Sequence, residues 1–133
     1  MTKEQLKGLS ALERGINGKL DDLERLRSLA ERTTTLITGM PRGGGQQDRY
    51  NSIICRIWAI EKELDADIDA YVDTHKAISD ALDGIADDRE RLVLRMRYLN
   101  CWSWKKIVQE MREPERTIYW LHGQALKNVL TLQ

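Results

Sequence analysis

Residues 57–85 read IWAIEKELDADIDAYVDTHKAISDALDGI, and their apolar side chains decide what the chain can be. Ile57, Glu61, Leu64, Ile68, Tyr71, His75, Ile78, Leu82 and Ile85 follow one another at alternating intervals of four and three, which is the seam of a helical coiled coil. Glu61 and His75 are its two polar members. Extended back through Ile57, Ile54, Ile53 and Tyr50, the pattern predicts a helix over residues 47–83, roughly 55 Å long at 1.5 Å per residue.

Upstream, Leu9, Leu12, Ile16, Leu20, Leu23, Leu26, Leu29, Leu36 and Ile37 lie mostly three or four apart, so a first amphipathic helix reaches about Thr38. Gly8, Gly15 and Gly18 each cost about 1 kcal/mol relative to alanine inside a helix, so its first half is expected to fray or bend unless something packs on it. The run Thr38-Gly39-Met40-Pro41-Arg42-Gly43-Gly44-Gly45 ends it, because Gly39 suits a left-handed cap and Pro41 cannot continue the ladder. Two long helices joined by a short linker make an antiparallel hairpin over residues 1–84. One seam would leave Ile54, Trp58, Ile60 and Val72 wet, which points to a homodimer of hairpins.

Downstream, Gly84 and the pair Asp87-Asp88 break the long helix and begin another, with Leu92, Val93, Met96 and Leu99 as its apolar face. Asn100-Cys101-Trp102 is a turn, after which Ser103 caps a short helix from Trp104 to Met111 with Ile107, Val108 and Met111 inward. Arg112-Glu113-Pro114 forms a second turn, and Pro114 suits the first position of a last helix. That helix buries Ile118, Leu121, Ala125, Leu126 and Val129 and presents Glu115, Arg116, Tyr119, Trp120, Gln124 and Lys127 on its other face. The reading is all-α: a long coiled-coil-like hairpin followed, over residues 85–133, by a three-helix unit of helix-turn-helix form.

Charge follows the same division. The 133 residues carry 21 Lys+Arg and 21 Asp+Glu, which excludes a uniformly basic coat. Residues 1–60 hold 10 basic and 7 acidic side chains, residues 61–88 hold 2 and 10, and residues 89–133 hold 9 and 4. The basic end can meet an anion that the acidic middle repels. No apolar run approaches the ~20 residues of a membrane helix, and Met1-Thr2-Lys3-Glu4-Gln5 lacks the apolar stretch of a signal peptide, so no membrane is expected. Cys55 and Cys101 read as free thiols.

Arg89-Glu90-Arg91-Leu92-Val93-Leu94-Arg95-Met96-Arg97-Tyr98, with Ser103, Ile107, Thr117-Ile118 and Ala125-Leu126-Lys127, resembles region 4 of bacterial sigma factors, the part that reads the promoter −35 element. With Met40-Pro41-Arg42-Gly43 ahead of it, nearly the whole chain resembles the small phage and prophage transcriptional regulators of the RinA and ArpU type. The resemblance implies a sequence-specific regulator, an activator of phage late genes, acting on double-stranded DNA in the cytoplasm of a bacterial host. On its terms Glu115, Arg116, Tyr119 and Trp120 read bases, while Lys105, Lys106 and Lys127 hold phosphate. Arginine can pair bidentately with guanine, and a lysine beside the backbone releases counterions. The turn departs from the family, with Arg112-Glu113-Pro114 where glycine, an apolar or aromatic residue and serine are usual.

Each of these residues also has a plainer reading. Trp102 and Trp104 can close the small core, and Trp120 can fall inside or outside it within a third of a turn. His75 is a polar seam residue setting register, and His122 lacks a metal or catalytic partner in sequence. Asp65, Asp67, Asp69 and Asp73 have the spacing of a calcium loop without its sixth-position glycine, so they are a solvated helix face. No nucleophile has a base nearby, and neither enzyme, metal nor cofactor is expected. Two alternatives to a DNA reader stand: a module binding RNA polymerase or another protein, and a small DNA-packaging subunit of a terminase.

Overall fold

The computed structural model describes residues 1–39 and 44–131. Among them are five α-helices and no strand: α1 (Lys3–Gly39), α2 (Gly44–Asp83), α3 (Asp88–Leu94), α4 (Trp104–Met111) and α5 (Glu115–Thr131), with a π-helical turn at Arg95–Leu99. The all-α class is the one the apolar spacing requires. Helix α1 ends within one residue of expectation, whereas α2 starts three residues early and takes in Gly44 and Gly45. The linker Met40-Pro41-Arg42-Gly43 lies outside the described residues.

Two compact units divide the chain, and they are interleaved in sequence: Arg14–Asp69 is one, and Met1–Glu13 with Ala70–Gln133 is the other. Residues from both sides of position 84 therefore share a unit.

In the unit Arg14–Asp69 the helices run antiparallel, since Lys19 meets Asp67 at 2.6 Å and Arg27 meets Glu61 at 3.0 Å. Leu23, Ala30, Ile57, Ile60 and Leu64 are the buried centre, with Ile16, Leu26 and Ile53 packed against it. Ile60, expected to be wet, is buried, and Ile68, expected in the seam, is exposed. With Ile57 and Leu64 buried, a step of about 100° per residue brings Ile60 into the same stripe and leaves Glu61 and Ile68 towards its open edge. Both ion pairs stay partly open to water, so each adds little to stability and mainly sets alignment.

In the other unit, Leu6 and Leu9 of α1 and Ile78, Leu82 and Ile85 share one core with Leu94, Tyr98, Leu99, Ala125 and Val129. Asp87 caps α3, accepting from the Arg89 and Glu90 amides at 2.9 and 3.0 Å. Arg91 folds back to donate to the Ile85 carbonyl at 2.7 Å, closing the corner after α2. Glu90 is buried, and its carboxylate accepts from the Asn128 amide at 2.7 Å, tying α3 to α5. The expected apolar face of α3 needs correction, because Leu92 is exposed and Leu94 is fully buried. The wider π-helical turn, closed by the Asn100 amide on the Arg95 carbonyl at 2.9 Å, carries Tyr98 and Leu99 inward.

Helix α1 is continuous through all three glycines, the outcome expected where something packs on it: Leu6 and Leu9 are buried before Gly15, and Leu23 after Gly18. A β-carbon at Gly15 would meet nothing within 4 Å. Gly15→Ala is therefore expected to stabilise the fold by about 1 kcal/mol, raising the melting midpoint by roughly 3–5 °C in a calorimetric scan.

Candidate nucleic-acid interface

Helix α4 begins where the sequence places it. Ser103 accepts from the Lys106 amide at 3.2 Å, so the lysines at 105 and 106 occupy the first turn, both exposed. The helix stops because Arg112 turns left-handed, at φ 54° and ψ 38°, with its N–H on the Val108 carbonyl. This is the position where a glycine is usual, and arginine adopts the conformation at a cost of about 1–2 kcal/mol. Pro114 stands one residue before α5 rather than at its first position, and its carbonyl receives the Ile118 amide at 3.1 Å.

The inward face of α5 is consumed by packing. Ile118 and Leu121 close against Val93 and Ile107, while Ala125 and Val129 enter the core shared with α1 and α2. Leu126 is only half-buried at the edge of that core. Helical periodicity then turns Glu115, Arg116, Tyr119, Trp120 and Lys127 outward, and all five are exposed. Trp120 keeps 61% of its surface, which settles its place outside the core. Gly123 lies on the same open face, leaving bare helix backbone between Trp120 and Lys127.

Two arrangements were not legible in the sequence. First, an aromatic cluster joins α4 to α5: the Trp104 ring takes the Arg97 guanidinium on its face at 4.6 Å and meets His122 and Tyr119 edge-on at 4.8 and 5.1 Å. Trp102 and Trp104 pack at the rim of the small core, and the Lys106 ammonium sits 4.1 Å over Trp102. The i, i+3 pair Tyr119 and His122 was the available sequence signal. Second, the acids of the turn are engaged within the chain. Glu113 pairs with Arg89 at 3.0 Å, and Glu115 accepts from the Tyr119 hydroxyl at 3.0 Å. Their carboxylates are thereby partly compensated, which lessens their repulsion of an approaching phosphate.

His122 has a role inside the unit. Tyr98 and His122 share a 2.8 Å hydrogen bond, Tyr98 Oη to Nε2. Burial, then the nearby Arg97 and Lys3 charges, push the histidine below its ordinary value of 6.5, and burial pushes the Tyr98 phenol up. The bond thus joins a protonated phenol to a neutral ring at pH 7. The Cys101 thiol, half-buried near Glu13, is raised to about 11 and stays protonated at neutral pH. His75 lies beside Tyr71, ring centres 6.1 Å apart, as a half-buried polar member of its helix. Among the described residues no three His, Cys, Asp or Glu side chains gather as a metal site would require.

Residues 33–130 match the model of a family described as a protein of unknown function, DUF1492. The chain belongs to that family. No curated protein and no solved structure matches it. In this DUF1492 chain the matched span runs from the end of α1 through nearly all of α5, so it includes the whole candidate surface.

Two outcomes follow from this geometry. Arg112→Gly removes the left-handed penalty and is expected to raise stability by about 1 kcal/mol, read by urea denaturation. Because folded His122 resists a proton that the unfolded chain accepts, its contribution is full above pH 6.5 and is lost as pH falls below that value. The melting midpoint should drop between pH 7.5 and about 5.5, and His122→Gln should shrink that drop.

Proposed function

We propose that this chain is a sequence-specific DNA-binding transcription regulator that reads the major groove with α5. The supporting observation is the division of α5 into a fully packed face and an open one carrying Arg116, Tyr119 and Trp120, behind a first helix whose Lys105 and Lys106 are exposed. A recognition helix must offer hydrogen-bonding side chains without unfolding its own core, and this one does. Arg116 supplies a donor fork for guanine, and Tyr119 and Trp120 supply planar surfaces for base edges and thymine methyls. Lys106, steadied over Trp102, would hold phosphate and set register. Lys105 and Lys127 are its companions in that role.

This reading agrees with the resemblance to sigma region 4 and to the RinA and ArpU regulators, for which activation of phage late genes in the bacterial cytoplasm is the corresponding role. A homodimer would present two such helices to related half-sites. The same exposed Trp120 also favours a second reading, in which this face docks on RNA polymerase or another protein without touching bases, since a free indole is a strong anchor in protein interfaces.

Mobility-shift titrations separate the two. Arg116→Ala should cost about 1–3 kcal/mol on the preferred site and relax its sequence choice, whereas Lys106→Ala should weaken all duplexes alike and lower the salt slope by about one. Equal behaviour of the two variants across sequences would remove the assignment of reader and anchor. Capture of polymerase that survives nuclease, with no shift of any duplex at low salt, would establish the second reading.

A further inference from the structure

Two residues other than glycine hold left-handed backbone among the described residues, Cys101 at φ 58° and Arg112 at φ 54°. Cys101 is half-buried, and its thiol reaches the Tyr98 carbonyl at 3.8 Å. Arg112 has no such contact: its side chain is exposed and makes neither hydrogen bond nor ion pair among the described residues. A cation gains from the partial negative charge at the end of α4, but typically by less than a left-handed side chain loses. Glycine would be the more stable residue there, and strain of this kind persists where a function keeps it.

The charges around it indicate what it meets. Residues 89–133 carry nine basic side chains. Three are turned to the chain itself: Arg91 donates to the Ile85 carbonyl, Arg95 to the Ser79 hydroxyl and Arg97 to the Trp102 carbonyl. The other six, Arg89, Lys105, Lys106, Arg112, Arg116 and Lys127, are exposed, and five of these lie on α4, on α5 or in the turn between them. Of the four acids, Glu90 is buried on Asn128, Glu113 pairs with Arg89 at 3.0 Å, and Glu115 accepts from the Tyr119 hydroxyl. Glu110 is exposed, but two positions back along α4 it does not face Arg112. Arg89 thus keeps Glu113 from neutralising its neighbour, and Arg112 stays an open cation between Lys106 and Arg116 along the chain.

We propose that Arg112 is a further DNA-phosphate contact, retained in a strained turn because its guanidinium meets the sugar–phosphate backbone where α5 enters the major groove. The first helix of such a motif crosses the backbone and the N-terminal residues of the second meet bases, so the turn between them passes over the wall of the groove. A guanidinium there neutralises a phosphate without choosing a sequence. The inference rests on the DNA reading of α5 and adds to it a contact that a glycine turn cannot make.

Salt titrations of mobility shifts on the full chain, with several duplexes, test this beside urea denaturation. Arg112→Gly should raise the urea midpoint while weakening every duplex about eightfold at about 0.1 M salt and lowering the salt slope by about one. Arg112→Asn, which tolerates the left-handed conformation, should weaken binding likewise, and Arg112→Lys should keep the slope of the unaltered chain. A turn merely loosened by glycine would leave the slope as it was. Unchanged slopes in the glycine and asparagine variants, or a lysine variant that loses as much as they do, would therefore overturn the proposal. If Arg116→Ala and Lys106→Ala act as expected while Arg112→Gly is indifferent, this contact alone is removed. Failure of the unaltered chain to shift any duplex at low salt removes the DNA reading itself, and this contact with it.

Discussion

The surface of α5 is open because its other side has no freedom left. Ile118, Leu121, Ala125 and Val129 are held by two adjoining clusters, one against Val93 and Ile107 and one against the first turns of α1 and the end of α2. Rotating α5 by a third of a turn would pull those four side chains into water, at about 1.5–3 kcal/mol for each large one, and would bury Arg116 without a partner. The buried Glu90 strengthens the same constraint, since its carboxylate accepts from Asn128 and loses that bond if α5 turns. What Arg116, Tyr119 and Trp120 can touch depends on this lock.

The aromatic cluster adds stiffness at the joint between α4 and α5. Trp104 is contacted on its face by a guanidinium and on its edges by Tyr119 and His122, so the angle between the two helices rests on planar rings with few alternative rotamers. Such a joint fixes the separation of Lys106 from Arg116. For the proposed DNA reader, in which Lys106 would meet phosphate and Arg116 a base, a preset spacing would lower the ordering cost of making both contacts.

Much of this was readable in the amino-acid order. The short helix from Trp104 to Met111, the Ser103 cap, and the packed and open faces of α5 follow from spacing and cap chemistry, which are local. The misplacements have longer-range causes. Leu92 and Leu94 are two residues apart, and only the π-helical turn and the floor of α1 and α2 select Leu94 for burial. Ile60 is buried and Ile68 exposed because the stripe facing α1 is centred on Ile57, Ile60 and Leu64, and spacing alone does not fix that centre. For the candidate surface, the outward residues were legible from periodicity alone, whereas the pairings that disarm Glu113 and Glu115 were not. Those depend on Arg89 and Tyr119 arriving at the turn from other parts of the unit or from the next helical turn.

The shared core of Leu6 and Leu9 with Ala125 and Val129 has a bearing on how the molecule is made. These partners are separated by roughly 120 residues, so the earliest leucines leave the ribosome well before their neighbours exist. During synthesis the hairpin end can zip up locally, while the half that bears α5 must wait for the last helix to emerge. Until α5 has been made, the core that orients its open face stays incomplete.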